Sequence, residues 1–176
     1  MIRTLSIIIS GWFILVAAGC NSKKAVVAED NTEVLRDTVY VMVEQPAEND
    51  SLLLSYETTP CFGRCPVYKI KIFKSGFAIY EGLNFAEKMG SYAYTFSEKE
   101  IDEILEMANE VDYRELEDVY DDPRISDLPS TQSEISFGAN SKKLKTRANI
   151  PPAVKAFHTN LGVYLVEKDW KSYSLR

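Results

Sequence analysis

One alternating run, and the run that follows it across a short break, constrain this chain most. Val67 to Phe73 (VYKIKIF) alternates apolar and polar side chains, and Phe77 to Leu83 (FAIYEGL) follows, with Ser75-Gly76 at the break. A period of two puts alternate side chains on opposite faces, the mark of a half-buried strand. These two runs around Ser-Gly predict an antiparallel hairpin with a two-residue turn. LLLSYETT from Leu52 is also β-rich, and Tyr92, Tyr94 and Phe96 alternate in a further strand. Ser97 and Glu100 then make a capping-box pattern. Ile101, Ile104, Leu105, Ala108 and Val111 follow at helical spacing, with acids on the other face. The stretch DDPRISDLPST predicts a loop, and TQSEISFG with KKLKTR predicts a second hairpin around Gly138-Ala139-Asn140-Ser141. Pro151-Pro152 suits a helical first turn. Val154, Phe157, Leu161 and Leu165 continue it as an apolar stripe that ends near Trp170. The order β-β-β-β-α-β-β-α predicts an α+β, two-layer sandwich, an antiparallel sheet covered on one face by two helices. One domain over 51–176 is long enough for one core.

The N-terminus has a different character. Arg3 precedes an apolar run from Leu5 to Ala18. That run is too short to cross a hydrocarbon core, which takes roughly 20 residues. A positive n-region, an apolar h-region and small residues before a Cys fit a secretory signal over 1–19. LVAAGC resembles the lipobox of bacterial lipoproteins, with Ala17 where that pattern favours Leu. The resemblance implies cleavage before Cys20, its lipidation, and anchoring to a membrane without spanning it. An uncleaved anchor or an ordinary secretory cut are the alternatives. By resemblance to sorting rules in enteric bacteria, Asn21 points to the outer membrane, with the domain outside the cytoplasm. Residues 20–50 then form the lipidated start and a polar tether, whose flexible reach is about 30 Å. Within it Val39, Val41 and Val43 alternate with Tyr40 and Met42, so Thr38–Glu44 is either an extra strand or extended linker.

Composition narrows function by exclusion. The formal charge is −6. A general nucleic-acid binder needs a basic footprint to displace phosphate counterions, so nucleic acid is not an expected partner. Three Cys and one His leave little for metal or triad chemistry. The sequence has no Gly-rich phosphate loop, no HExxH and no G-x-S-x-G. No cofactor is implied.

The most distinctive stretch is Pro60-Cys61-Phe62-Gly63-Arg64-Cys65-Pro66, between the first two predicted strands. If lipid consumes Cys20, two thiols remain in an oxidising compartment. Five residues can form a tight turn, with Gly63 free to take positive φ and a proline stiffening each end. A Cys61–Cys65 disulfide is the expectation. Loop entropy gives so small a ring only about 2 kcal/mol, so the bond would fix a local shape. Redox chemistry is the sharper alternative. Thioredoxin-type sites place two residues between the cysteines at a helix N-terminus, whereas this turn has three and lies between strands. Structural zinc needs four ligands, and beyond the two Cys only His158 is an obvious soft donor. The run TPCFGRCPVYKIKIFKSGFAIYEG resembles a domain-of-unknown-function family of bacterial lipoproteins, marked by a P-C-F-G-x-C-P-x-Y turn and a following hairpin. The resemblance extends from Leu52 to about Leu165. It supports Cys61, Gly63, Cys65 and Pro66 as defining positions and brings no activity.

Three further groups carry weaker signals. Asp121, Asp122 and Asp127 share a loop close to Glu117 and Asp118, and clustered oxygens can bind Ca²⁺. They lack EF-hand spacing, and a solvated acidic loop is the favoured reading. Lys69 and Lys71 share one strand face, as do Lys143, Lys145 and Arg147, so a local basic patch could meet lipid phosphates or an anionic glycan. Charges protecting a sheet face or edge are favoured over that. His158 lies one position off the apolar stripe, and a boundary histidine is preferred to a catalytic base. The expected function is a noncatalytic cell-envelope lipoprotein whose domain meets an envelope protein or glycan. The alternatives are a thiol-based redox enzyme or sensor at Cys61 and Cys65, and a metal- or small-ligand-binding protein.

Overall fold

The computed structural model describes residues 49–174. Cys20, the signal segment expected over 1–19 and Thr38–Glu44 lie outside the described residues. The elements are β1 (Leu52–Thr58), β2 (Val67–Phe73), β3 (Phe77–Asn84), β4 (Gly90–Thr95), α1 (Glu98–Glu110), β5 (Val119–Tyr120), β6 (Thr131–Phe137), β7 (Asn140–Thr146), α2 (Pro152–Val166) and β8 (Lys171–Ser172). The strands form one sheet in the order β5-β7-β6-β1-β2-β3-β4-β8. All neighbours are antiparallel except β5 and β7. The expected α+β sheet with two helices is present. The expected strand order is extended by β5 and β8, two-residue strands too short to leave an alternation signal.

Pairing register follows the buried alternation. Leu54 pairs with Ile135, Tyr56 lies between Ile70 and Ser133, and Ile72 faces Ala78. These side chains point to one face and form a single core with Ile104, Ala108, Val154, Phe157, Leu161 and Leu165 from the helices. A one-residue slip would turn that set to solvent, so burial fixes the register. A second, small cluster of Phe77, Ala93 and Tyr173 lies apart from this core.

Local chemistry sets the element ends. Ser97 Oγ accepts from the Glu100 amide at 3.3 Å, and Glu100 accepts from the Ser97 amide at 2.8 Å, completing the capping box. Burial would raise the Glu100 carboxyl, but hydrogen bonds from Lys168, Ser97 and Tyr94 outweigh it and hold the group at about 2. The β2–β3 turn differs from expectation. It has three residues, Lys74-Ser75-Gly76, because Gly76 at φ +87° donates to Phe73 O at 2.9 Å and absorbs the extra residue. That is a type I turn closed by a glycine bulge. A side chain at 76 would meet Phe96 O at 2.3 Å, so glycine is required there for space as well. The β6–β7 turn is the two-residue Gly138-Ala139, with Gly138 at φ +75°.

Candidate functional site

The β1–β2 connection carries the cysteine turn. Cys61 and Cys65 are bonded, with Cα atoms 5.8 Å apart. Thr58 Oγ1 donates to Pro66 O at 2.8 Å and accepts from the Tyr68 amide at 3.2 Å, pinning the base of the turn. Its flank is tied to the β5–β6 loop. The Thr59 amide donates to Ser130 O at 2.9 Å, and the Phe62 amide donates to Asp127 O at 3.1 Å. The other flank meets the β3–β4 loop, where the Arg64 guanidinium stands 5.2 Å from the centre of the Phe85 ring. Gly63 does not take positive φ, contrary to expectation. A Cβ there would meet only Cys61 Sγ at 3.7 Å, an ordinary contact, so the turn closes without glycine's special freedom.

This fixed backbone presents apolar side chains to water. Phe62 is 95% exposed, and Leu83, Phe85, Met89 and Leu128 on the adjoining segments are also exposed. Single exposed apolar residues are ordinary, whereas a contiguous exposed apolar patch marks an interaction site. The chain enters the domain at the far end of the sheet. There the Asp50 carboxylate accepts from Ser75 Oγ at 2.5 Å, beside the β2–β3 turn. The length of β1, roughly 20 Å, separates that entry point from Phe62.

The remaining reactive-looking groups are inside. His158 Nε2 lies 2.8 Å from Ser133 Oγ, and its Nδ1 lies 2.8 Å from Thr146 Oγ1. Tyr113 OH is 2.7 Å from Ser133 Oγ. Tyr56 OH donates to His158 O at 3.0 Å, through space left open by Gly162. A Cβ at 162 would lie 2.5 Å from that hydroxyl. Burial lowers the His158 pKa to about 4, so the ring is neutral at physiological pH. His158 is therefore a core residue and not the boundary histidine expected. It sits beside Phe157 on a helix face wide enough to include both, and two inward hydroxyls satisfy its ring. Ser133 and Thr146 were missed too. Their signal was present, because each occupies an inward position of its strand, next to Ile135 and Leu144 respectively. A Ser–His contact at this distance resembles a nucleophile and its base. Here Ser133 and His158 are each 4% exposed, and the second ring nitrogen faces a threonine, not a carboxylate.

A family model described as Domain of unknown function (DUF6438) matches residues 52–163. The chain belongs to the DUF6438 family. No curated protein matches it. The cysteine turn, the buried His158 group and both hairpins fall inside the DUF6438 region.

The other candidates are occupied within the DUF6438 domain. Asp121 accepts from Arg147 at 2.6 Å and lies 3.5 Å from Lys145. Asp122 accepts from Arg124 Nε at 2.9 Å. The hydrogen bond from Arg147 lowers the Asp121 pKa, and that from Arg124 lowers the Asp122 pKa. Asp127 meets the cysteine turn through its carbonyl instead of its carboxylate. Among the described residues no three His, Cys, Asp or Glu side chains converge as a metal site. The basic residues do share the open sheet face, but acids interleave with them. Lys69 pairs with Glu57 at 3.2 Å and Lys143 with Glu134 at 3.4 Å, while Lys145 and Arg147 share Asp121. A shallow basin of about 420 Å³ on this face is lined by both signs, including Glu57, Glu134, Lys143 and Lys145. This face thus carries paired charges of both signs, in keeping with the favoured reading of charges that protect a sheet face.

Proposed function

We propose that this chain is a lipid-anchored cell-envelope protein whose DUF6438 domain presents the Cys61–Cys65 turn to an envelope protein or glycan and catalyses no reaction. The carrying observation is Phe62, 95% exposed on a disulfide-closed turn with both flanks hydrogen-bonded or stacked. Exposed aromatics on preordered backbone bind at low entropic cost, and aromatic and Arg side chains dominate interface hot spots. Phe62, Arg64 and Phe85 supply both. The LVAAGC segment supports an anchor at Cys20, and the resemblance of Asn21 to enteric sorting rules supports outer-membrane placement. Entry of the tether at the opposite end of the sheet supports a turn that points away from the anchored end. Burial of His158 and Ser133 supports a noncatalytic reading.

The test is affinity capture from crosslinked envelopes, using the parent chain and Phe62→Ala. A discrete partner recovered with the parent and at least ~10-fold depleted with the variant is expected for a hot-spot residue. Equal recovery from both overturns the assignment to the turn. Labelling with an alkyne fatty acid, present in the parent and absent in Cys20→Ser, checks the anchor. An unlabelled parent contradicts it.

A further inference from the structure

We propose that Phe62, Arg64 and Phe85 form a clamp for a protein segment that places an Asp or Glu carboxylate beside an apolar side chain. This rests on the reading of the turn as a docking surface, and it assigns the partner to protein instead of glycan. Phe85 sits in an unusual conformation. Its backbone lies at φ +51°, in the left-handed region. Among the described residues the other non-glycine members of that region are Asp112 and Asn149, types that tolerate it. A bulky aromatic does not, and strain of this kind persists where the surrounding fold enforces it, commonly at functional sites. The β3–β4 loop supplies that constraint. Tyr92 OH donates to Met89 O at 3.2 Å, and the loop folds so closely that a side chain at Gly82 would run into Lys88 O. Full burial does not offset the strain, because Phe85 is 45% exposed.

Arg64 supplies the charge. It is exposed, and its guanidinium is held over the Phe85 ring. Among the described residues no carboxylate lies within ion-pair distance of it. Its planar fork of N–H donors is therefore unspent, and the group that matches it is a carboxylate. Exposed Leu83 and Met89 continue the apolar surface on the Phe85 side. Two features choose among ligands of this chemistry. A glycan brings a row of hydroxyls, and besides Arg64 the exposed side chains of Phe62, Leu83, Phe85 and Met89 offer them no hydrogen-bond partner. A chain-terminal carboxylate is captured by a nest of free backbone amides. Here the Phe62 amide is engaged by Asp127 O and the Gly63 amide by Cys61 Sγ at 3.2 Å. A side-chain carboxylate is the remaining fit. Asp127 belongs to the flank opposite Phe85, so like-charge repulsion confines the partner's acid to the Arg64 side.

Selection of random peptides displayed on phage, with the full-length chain as bait, tests it. Enriched peptides should carry Asp or Glu next to Phe, Tyr or Leu. Arg64→Glu should weaken them at least ~10-fold. Changing the peptide's acid to its amide should weaken binding to the parent by a similar factor and leave binding to Arg64→Glu unchanged, the coupling expected of a direct pair. No enriched peptide, enriched peptides without an acid, or equal binding to Arg64→Glu overturns the proposal. Phosphatidylglycerol vesicles or chitin oligosaccharides that bind in an Arg64-dependent way where acidic peptides do not would also overturn it, in favour of lipid or glycan. Phe62→Ala separates this from the docking reading beneath it. Peptides that need Phe62 but not Arg64 keep the turn as a docking surface and remove the carboxylate, whereas peptides indifferent to both remove both. Phe85 gives a second measurement. Phe85→Gly relieves the left-handed strain, so its denaturant midpoint should exceed that of Phe85→Ala, while both bind the peptides at least ~10-fold more weakly than the parent. Undiminished binding by either variant overturns the clamp.

Discussion

His158 with its hydroxyl partners and the Cys61–Cys65 turn are two chemically suggestive regions among the described residues, and they differ in exposure. The histidine group has reactive residue types in contact, yet Ser133, His158 and Tyr113 are each at most 4% exposed. The turn has spent its thiols on a disulfide, yet it holds Phe62 almost wholly in water. Contact between a serine and a histidine is therefore not enough to read chemistry. A substrate must reach the pair, and here the pair instead satisfies polar atoms that the core has enclosed. Function is sought where the fold spends ordered backbone on exposed side chains.

The contrast can be broken first at the histidine. His158→Leu leaves the Ser133 and Thr146 hydroxyls without their ring partner and should cost about 3 kcal/mol, read as a lower denaturant midpoint. The same residue gives a pH signature. Its folded pKa of about 4 lies below the unfolded value near 6.5. The unfolded chain binds the extra proton between those values, so stability is full above 6.5 and falls as pH drops toward 4. Titration of stability should show that slope in the parent and lose it in His158→Leu.

Next in size is Gly162→Ala. Its Cβ would stand 2.5 Å from the Tyr56 hydroxyl and 3.1 Å from that ring's Cζ. Overpacking of this kind should cost about 2 kcal/mol. In a Tyr56→Phe background the added cost should shrink, because the nearest clashing atom is gone. Full additivity in a double-mutant cycle would contradict the contact.

Cys61→Ser with Cys65→Ser should cost no more than about 2 kcal/mol, the loop entropy of a five-residue ring. The core should survive, judged by near-ultraviolet dichroism, while partner capture falls. The smallest effect on stability belongs to Phe62→Ala, which should change the unfolding free energy by less than about 0.5 kcal/mol. Loss of binding without loss of stability is the behaviour that separates this turn from the histidine group.

Much of the fold was legible because its signals are local. The alternation of Val67–Phe73, the Ser97–Glu100 box and the stripe from Val154 to Leu165 each name an element without help from tertiary structure. β5 and β8 were not legible, since two residues carry no periodicity and pair only because their neighbours place them. Gly76 misled by one residue, because a glycine bulge and a two-residue turn share the same Ser-Gly signature. At the site, the Cys61–Cys65 bond was expected from their spacing together with the lipidation of Cys20 that the lipobox resemblance implies. The surroundings of His158 were not readable, because its partners come from β6 and β7, distant in sequence. The ion-pair partners of the basic residues were hidden for the same reason. Lys69 and Lys143 are visible in their own strands, but Glu57 and Glu134 neutralise them from neighbouring ones.

Photo-crosslinking in intact cells addresses the central claim most directly. A benzoylphenylalanine at position 62 is compared with one at Val163, which is also exposed but lies on α2. A discrete adduct from position 62, absent from 163 and abolished by Cys61→Ser with Cys65→Ser, is the result this account predicts. Matching adducts from both positions, or an adduct at 62 that survives loss of the disulfide, would contradict it.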